Sequence, residues 1–196
     1  MRSACIVIAG LLSALSGLPY VLDIAKNKTH PNLMTWVTWM LVAIINTAAA
    51  VSKNAIPTAI LSGAIALTDA LIVAMSIKKG VKRYTAFDVA CQLIAIIGLG
   101  LWLVTGNPSL AVALLVSVIL IAALPTLRHA WIAPFEETWQ GFVMGAAAGA
   151  LTFISLNRFT FVALAFPIAT MVNCTLVVGI ILQRRHFLSS ARKILR

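Results

Sequence analysis

The chain has 196 residues, 61% of them hydrophobic and only 10% charged, with a mean hydropathy of +1.01. Five acidic and fifteen basic residues are too few to cover that much apolar surface, which excludes a water-soluble domain and points to an integral membrane protein. The net charge of +10 needs no nucleic acid, because basic loops beside an anionic leaflet account for it.

A helix crosses the roughly 30 Å hydrocarbon core with about 20 apolar residues. Seven stretches meet that requirement: 4–22, 33–52, 55–77, 86–104, 109–127, 139–156 and 160–182. The short alternating segments of a membrane β-barrel are missing, so the expected fold is all-α with seven transmembrane helices. Arg2, the apolar run and the small residues of "LSALSG" give the first stretch the look of a signal peptide. The internal repeat described below needs it as helix one, so it is expected to stay. Helix one carries Pro19 and helix two opens on "PNLMTW", Pro31 to Trp36. The short link "KNA" then turns the chain into helix three, which carries Asp69. Helix four follows, then helix five with Pro125, and helix six opens on "PFEETW", Pro134 to Trp139. The link "NRF" leads into helix seven, with Pro167 and Asn173.

With seven crossings the loops alternate sides. One side collects Lys26, Lys28, Lys78, Lys79, Lys82, Arg83, Arg128, Arg184, Arg185, Arg192, Lys193 and Arg196. The other holds only Arg2, Lys53 and Arg158, which places the N-terminus outside and the C-terminus in the cytoplasm. The cysteines Cys5, Cys91 and Cys174 fall within spans without metal-ligand spacing. His30, His129 and His186 have no i,i+4 partner, so neither a metal nor another cofactor is expected.

The frame PxxxTW recurs at the same face and at the start of a helix, each time after a helix with proline near that face and before a short outer hairpin. Helices one to three and five to seven therefore read as two copies of one unit. Three is odd, so one extra helix is needed to give both copies the same direction, as in parallel repeats about an axis along the membrane normal. The expected division is residues 1–80 for the first unit, 81–105 for linker helix four and 106–196 for the second unit with its basic tail. On "GLPYVLDIAKNKTHPNLMTW" and "AALPTLRHAWIAPFEETW" the chain resembles the PQ-loop and SWEET (MtN3) superfamily of small transporters, nearest to its bacterial members. The resemblance implies the 3+1+3 plan, a bacterial inner (plasma) membrane and hinges at Pro19 and Pro125. The proline–glutamine pair of the PQ-loop group is Pro19-Tyr20 and Pro125-Thr126 here, and helices two and six carry no internal proline.

Asp69 is the one deep acidic residue, about 5 Å from the middle of its helix. Thr58, Ser62, Asp69 and Ser76 form one polar stripe, which should face the bundle interior. "IALTDA" and "IATMVNC" align with one inserted residue, setting Asn173 against Asp69. The resemblance implies that this pair lines a central cavity. Asn46 on helix two, with Trp39 seven residues before it on the same face, completes the expected substrate-binding set, and Gln92 and Ser117 are further candidates. No lysine or arginine in a span pairs with Asp69, so proton coupling or recognition of a cationic group is expected there. Gly141, Gly145 and Gly149, four apart, form a small-residue stripe for close helix packing. Tyr20, Trp36, Trp131, Trp139 and Tyr84 are expected in the interfacial aromatic belt, with Trp102 at the outer face. Pro167 frees a backbone carbonyl near Asn173.

The expected function is a transporter of a small polar solute, a sugar or an amino acid or amine, with the solute and the bilayer as partners and homo-oligomers admitted. The alternative is a ligand receptor or sorting protein of the KDEL-receptor type. No enzyme is expected, for the chain has no HExxH, no GxSxG and no intramembrane Ser–Lys or paired-aspartate arrangement.

Overall fold

The computed structural model describes residues 2–80, 84–105 and 108–194, and no strand occurs among them. The elements are α1 (Arg2–Ala25), α2 (Leu33–Ser52), α3 (Ile56–Lys79), α4 (Ala86–Thr105) and α5 (Pro108–Ile132), then a 3-10 turn (Pro134–Glu136), α6 (Trp139–Ser155) and α7 (Phe161–Ile194). Five helical segments are long and apolar enough to cross a membrane: Ser3–Ala25, Leu33–Ser52, Ile56–Lys79, Ala113–Ile132 and Phe161–Ser190. The protein is an all-α integral membrane protein. Large apolar side chains cover its outside, among them Leu67, Leu71, Ile97 and Ile154, as lipid-facing helices require. The expectations for Cys91 and Trp102, and for Arg2, Lys82, Arg83, Arg192, Lys193 and Arg196, concern side chains outside the described residues.

Local chemistry sets the ends. Asn32 caps α2, its side-chain oxygen accepting from the N–H groups of Met34 (3.1 Å) and Thr35 (3.4 Å). Asn54, at φ 53°, takes the left-handed conformation that ends a helix, and the Ala55 N–H reaches the Ala50 carbonyl at 2.8 Å. Helices α5 and α7 run past their expected ends at residues 127 and 182. No glycine or proline interrupts "RHAWI" or "QRRHFLSSARKI" to stop them.

The packing order follows a pattern. Helix α3 lies between α1 and α2, and α7 lies between α5 and α6. Among the described residues the backbone of α1 does not come close to that of α2, nor α5 to α6, and α1 meets α2 only through side chains such as Tyr20 on Trp36. The two triads meet where α1 packs on α6 and α2 on α5, while α4 rests on α5 and more thinly on α2.

The closest approaches use the glycines of α6. A Cβ at Gly141 would run into the Ser16 carbonyl of α1, and one at Gly149 would lie 2.9 Å from the Pro167 carbonyl of α7. One at Gly145 would meet Cys174 Sγ at 2.9 Å. Backbone groups cannot swing away as a side chain can, so positions 141 and 149 are closed to larger residues. Most hydroxyls inside the bundle find partners nearby, as hydrocarbon demands, Thr35 and Thr152 being exceptions. Ser13, Ser76 and Thr38 donate to carbonyls one turn back on their own helices. Pro167 frees the Ala163 carbonyl, and Thr58 Oγ1 of α3 donates to it at 3.0 Å. The vacated bond thus becomes a tie between the triads, toward the end with the α2–α3 and α6–α7 links and away from Asn173.

Gly149→Ala is expected to destabilise the protein by about 1–3 kcal/mol, because the backbone of α7 must move. Gly179→Ala, in the same bundle with open space around its Cβ position, is expected to cause no loss. Melting temperatures in detergent compare the two.

Candidate functional site

Where the two triads meet, the bundle holds a cavity of about 90 Å³, roomy enough for several waters or a small solute. Six helices wall it: α1, α2, α3, α5, α6 and α7 each contribute, and α4 contributes no described residue. Gly17, Gly141 and Gly145 are in its wall, where they let α1, α3, α6 and α7 come into close contact.

Asp69 from α3 and Asn173 from α7 both line the cavity, 4% and 6% exposed. The stripe that carries Asp69 is buried along its length, with Thr58, Ser62 and Ser76 at 3% exposure or less. Asp69 Oδ2 and Asn173 Oδ1 have no hydrogen-bond partner in the protein. Buried polar atoms in that state are uncommon and are costly in apolar surroundings. Their meeting at one cavity marks it as a place for a ligand or ordered water. Trp39 lines it too, its indole N–H donating to the Ile119 carbonyl of α5 at 3.2 Å. Asn46 is 2% exposed with Nδ2 unpartnered, but it is not among the residues lining the cavity. Gln92 Nε2 donates to Thr38 Oγ1, and Ser117 is exposed and donates to Ala113 of its own helix, so neither reaches it. Pro19 and Pro125 lie within continuous helices α1 and α5, Pro19 beside the cavity-lining Tyr20.

Two of the expected belt aromatics sit elsewhere. Tyr20 and Trp36 are 2% and 6% exposed and belong to the cavity wall. They pack with Trp39 and Phe142 as one ring cluster: Tyr20 to Trp36 at 4.8 Å, Trp36 to Trp39 at 5.1 Å and Tyr20 to Phe142 at 5.9 Å between centroids. The cause is helical phase, since both side chains face across the bundle and not toward lipid. Trp131, in contrast, is half exposed, with the Arg184 guanidinium over its ring.

Below the ring cluster is a polar network that the sequence does not announce. The Tyr20 hydroxyl donates to Glu137 Oε2 at 2.9 Å. His129 Nδ1 lies 2.9 Å from the other oxygen of Glu137, and its Nε2 is 3.4 Å from Glu136. Arg185 of α7 donates to the carbonyls of Pro134 and Glu137 at 2.9 and 2.6 Å. Thr138 donates to Asp23 Oδ2 at 2.8 Å and meets Thr29 at 2.7 Å. Glu137 is 3% exposed and so ties α1 to α5 at the end of the bundle that carries both PxxxTW frames. Only the six-residue frame hinted at it, by putting two acidic residues beside a recurring Thr-Trp pair. Among the described residues no three His, Cys, Asp or Glu side chains are arranged to hold a metal.

Comparison of the chain with protein-family models, with curated proteins and with solved structures gives no match.

Tyr20→Phe removes a donor from a buried carboxylate and is expected to destabilise by about 1.5–3 kcal/mol. In a Glu137→Gln background the same change should do much less. A double-mutant cycle on unfolding reads the difference as coupling.

Proposed function

We propose that the protein is a membrane transporter of a small polar solute, working by alternating access around the central cavity. In this reading residues 1–80 and 106–196 are two parallel three-helix units and α4, within 81–105, is the linker, the 3+1+3 plan of the PQ-loop and SWEET superfamily. The N-terminus is outside and the basic C-terminal tail cytoplasmic, in a bacterial plasma membrane. Asp69, Asn173 and Trp39 contact the solute. Asn46 is a neighbouring polar support, and Pro19 and Pro125 serve as flexible points.

The observation that carries this reading is the pairing at the cavity. A buried acceptor from α3 and one from α7, the middle helix of each triad, meet at the only kind of place where both triads can act on one solute. The order α1–α3–α2 beside α5–α7–α6 supports it further, for rocking of two units needs each to be a unit in packing as well as in sequence. The Tyr20–Glu137–His129 network would then be the inward closure, since a bond between α1 and the loop before α6 must break for those elements to part.

Protein reconstituted in liposomes is expected to move a solute from a panel of sugars, amino acids and amines. Asp69→Ala is expected to lower that flux at least tenfold and to change its pH dependence. Full flux in Asp69→Ala with an unaltered pH profile would remove Asp69 from the mechanism. Saturable binding without flux would favour the receptor reading over transport.

A further inference from the structure

The chemistry lining the cavity narrows what it takes, on the premise that this is the solute site. Hydroxyl protons are already committed there. Ser16 Oγ donates to the Ser13 carbonyl at 2.7 Å, and Thr68 Oγ1 donates to the Ile65 carbonyl at 2.9 Å. A carbonyl can only accept, so both hydroxyls offer the cavity lone pairs alone. Of the aromatic handles, the Tyr20 hydroxyl is spent on Glu137 and the Trp39 N–H on Ile119, while the buried Trp36 indole N–H has no partner among the described residues. These rings line the cavity as one cluster. Four aromatic residues, Tyr20, Trp36, Trp39 and Phe142, stand there with neighbouring centroids 4.8–6.5 Å apart. Asp69 adds a buried carboxyl with an unpartnered oxygen, and among the described residues no Lys, Arg or His lines the space.

Such a surface is rich in acceptors and aromatic rings, with the Trp36 N–H as its unpartnered buried indole donor. A polyol's hydroxyl protons would find acceptors there but few donors for its oxygens, and an anion would meet a carboxylate without a cation to hold it. A compact cation meets a counter-ion and a cluster of aromatic rings at once, the chemistry that recognises ammonium groups. We propose that the cavity is a site for a small organic monocation, an amine or quaternary ammonium, with Asp69 as counter-ion and the four-ring cluster as its aromatic wall.

The test separates charge from shape. Full-length protein in detergent is melted with choline, with tetramethylammonium, with 3,3-dimethylbutan-1-ol, which has choline's shape without its charge, and with glucose. Saturating choline is expected to raise the melting temperature by about 5 °C, the neutral isostere by nothing measurable. Asp69→Asn is expected to weaken choline binding at least tenfold and Trp36→Leu to weaken it as well. If the variants fail to fold, the comparison of choline with its isostere in the wild-type protein still decides. Equal shifts by choline and the isostere, or a shift by glucose alone, would overturn the cation site while leaving a solute transporter in place. Absence of any shift, together with absence of flux for the whole panel in liposomes, would overturn both.

Discussion

Backbone contact between α6 and its two neighbours is the constraint from which the rest of the bundle follows. The Ser16 carbonyl occupies the place where any side chain at position 141 would go, and the Pro167 carbonyl does the same at position 149. In hydrocarbon there is no hydrophobic drive to bring helices together, so close contact and hydrogen bonds between them must hold the structure. The glycine stripe supplies the close contact on both sides of α6, joining α1 to α7 through it. Gly17, Gly141 and Gly145 also stand in the cavity wall, so the close contacts and the cavity share the same stretch of the bundle.

A second regularity concerns where polar groups are satisfied. Along α1, α2 and α3 most of the hydroxyls bond to carbonyls about one turn back, and Thr58 takes the carbonyl that Pro167 releases. Among the described residues the buried polar atoms without a partner are Asp69 Oδ2, Asn173 Oδ1 and Trp36 Nε1 on cavity-lining residues, and Asn46 Nδ2, Thr35 Oγ1 and Thr152 Oγ1 on residues outside its lining. Leaving a buried acceptor unpaired costs about 1–3 kcal/mol, so two at one cavity represent stability given up at a place where a bound molecule restores it. Membrane ionisable groups default to function for the same reason.

How much of this was legible in the chain depended on the periodicity involved. Spans of twenty apolar residues and the 4-7-7 stripe of α3 are local signals, and both the helices and the burial of Asp69 and Ser76 follow from them. The glycine stripe is local as well, and its use in packing matches its spacing. Tyr20 and Trp36 were harder. An aromatic near a helix end looks alike whether it faces lipid or the bundle, and only the phase against a neighbouring helix decides. The Glu137 network was out of reach for a different reason: Tyr20 and Glu137 are 117 positions apart, and no local pattern joins them. Asn46 shows the limit of face arguments, since seven residues separate it from Trp39 on one stripe while the cavity ends between them.

The two PxxxTW frames show how like sequences can carry unlike duties. In the first, Asn32 follows the proline and caps the helix at once, so α2 begins at Leu33 and Trp36 already lies inside it, turned into the ring cluster. In the second, Phe135 cannot cap, the chain makes a 3-10 turn, and α6 begins only at Trp139. The delay leaves Glu137 and Thr138 outside the helix, where the Glu137 carboxylate meets Tyr20 and His129 and Thr138 meets Asp23. One frame thus builds part of the cavity wall, and the other fastens α1 against the loop below it. Tyr20 belongs to both, its ring in the wall and its hydroxyl in the fastening. A single side chain therefore joins the polar network at that end to the wall of the cavity, without a longer chain of contacts.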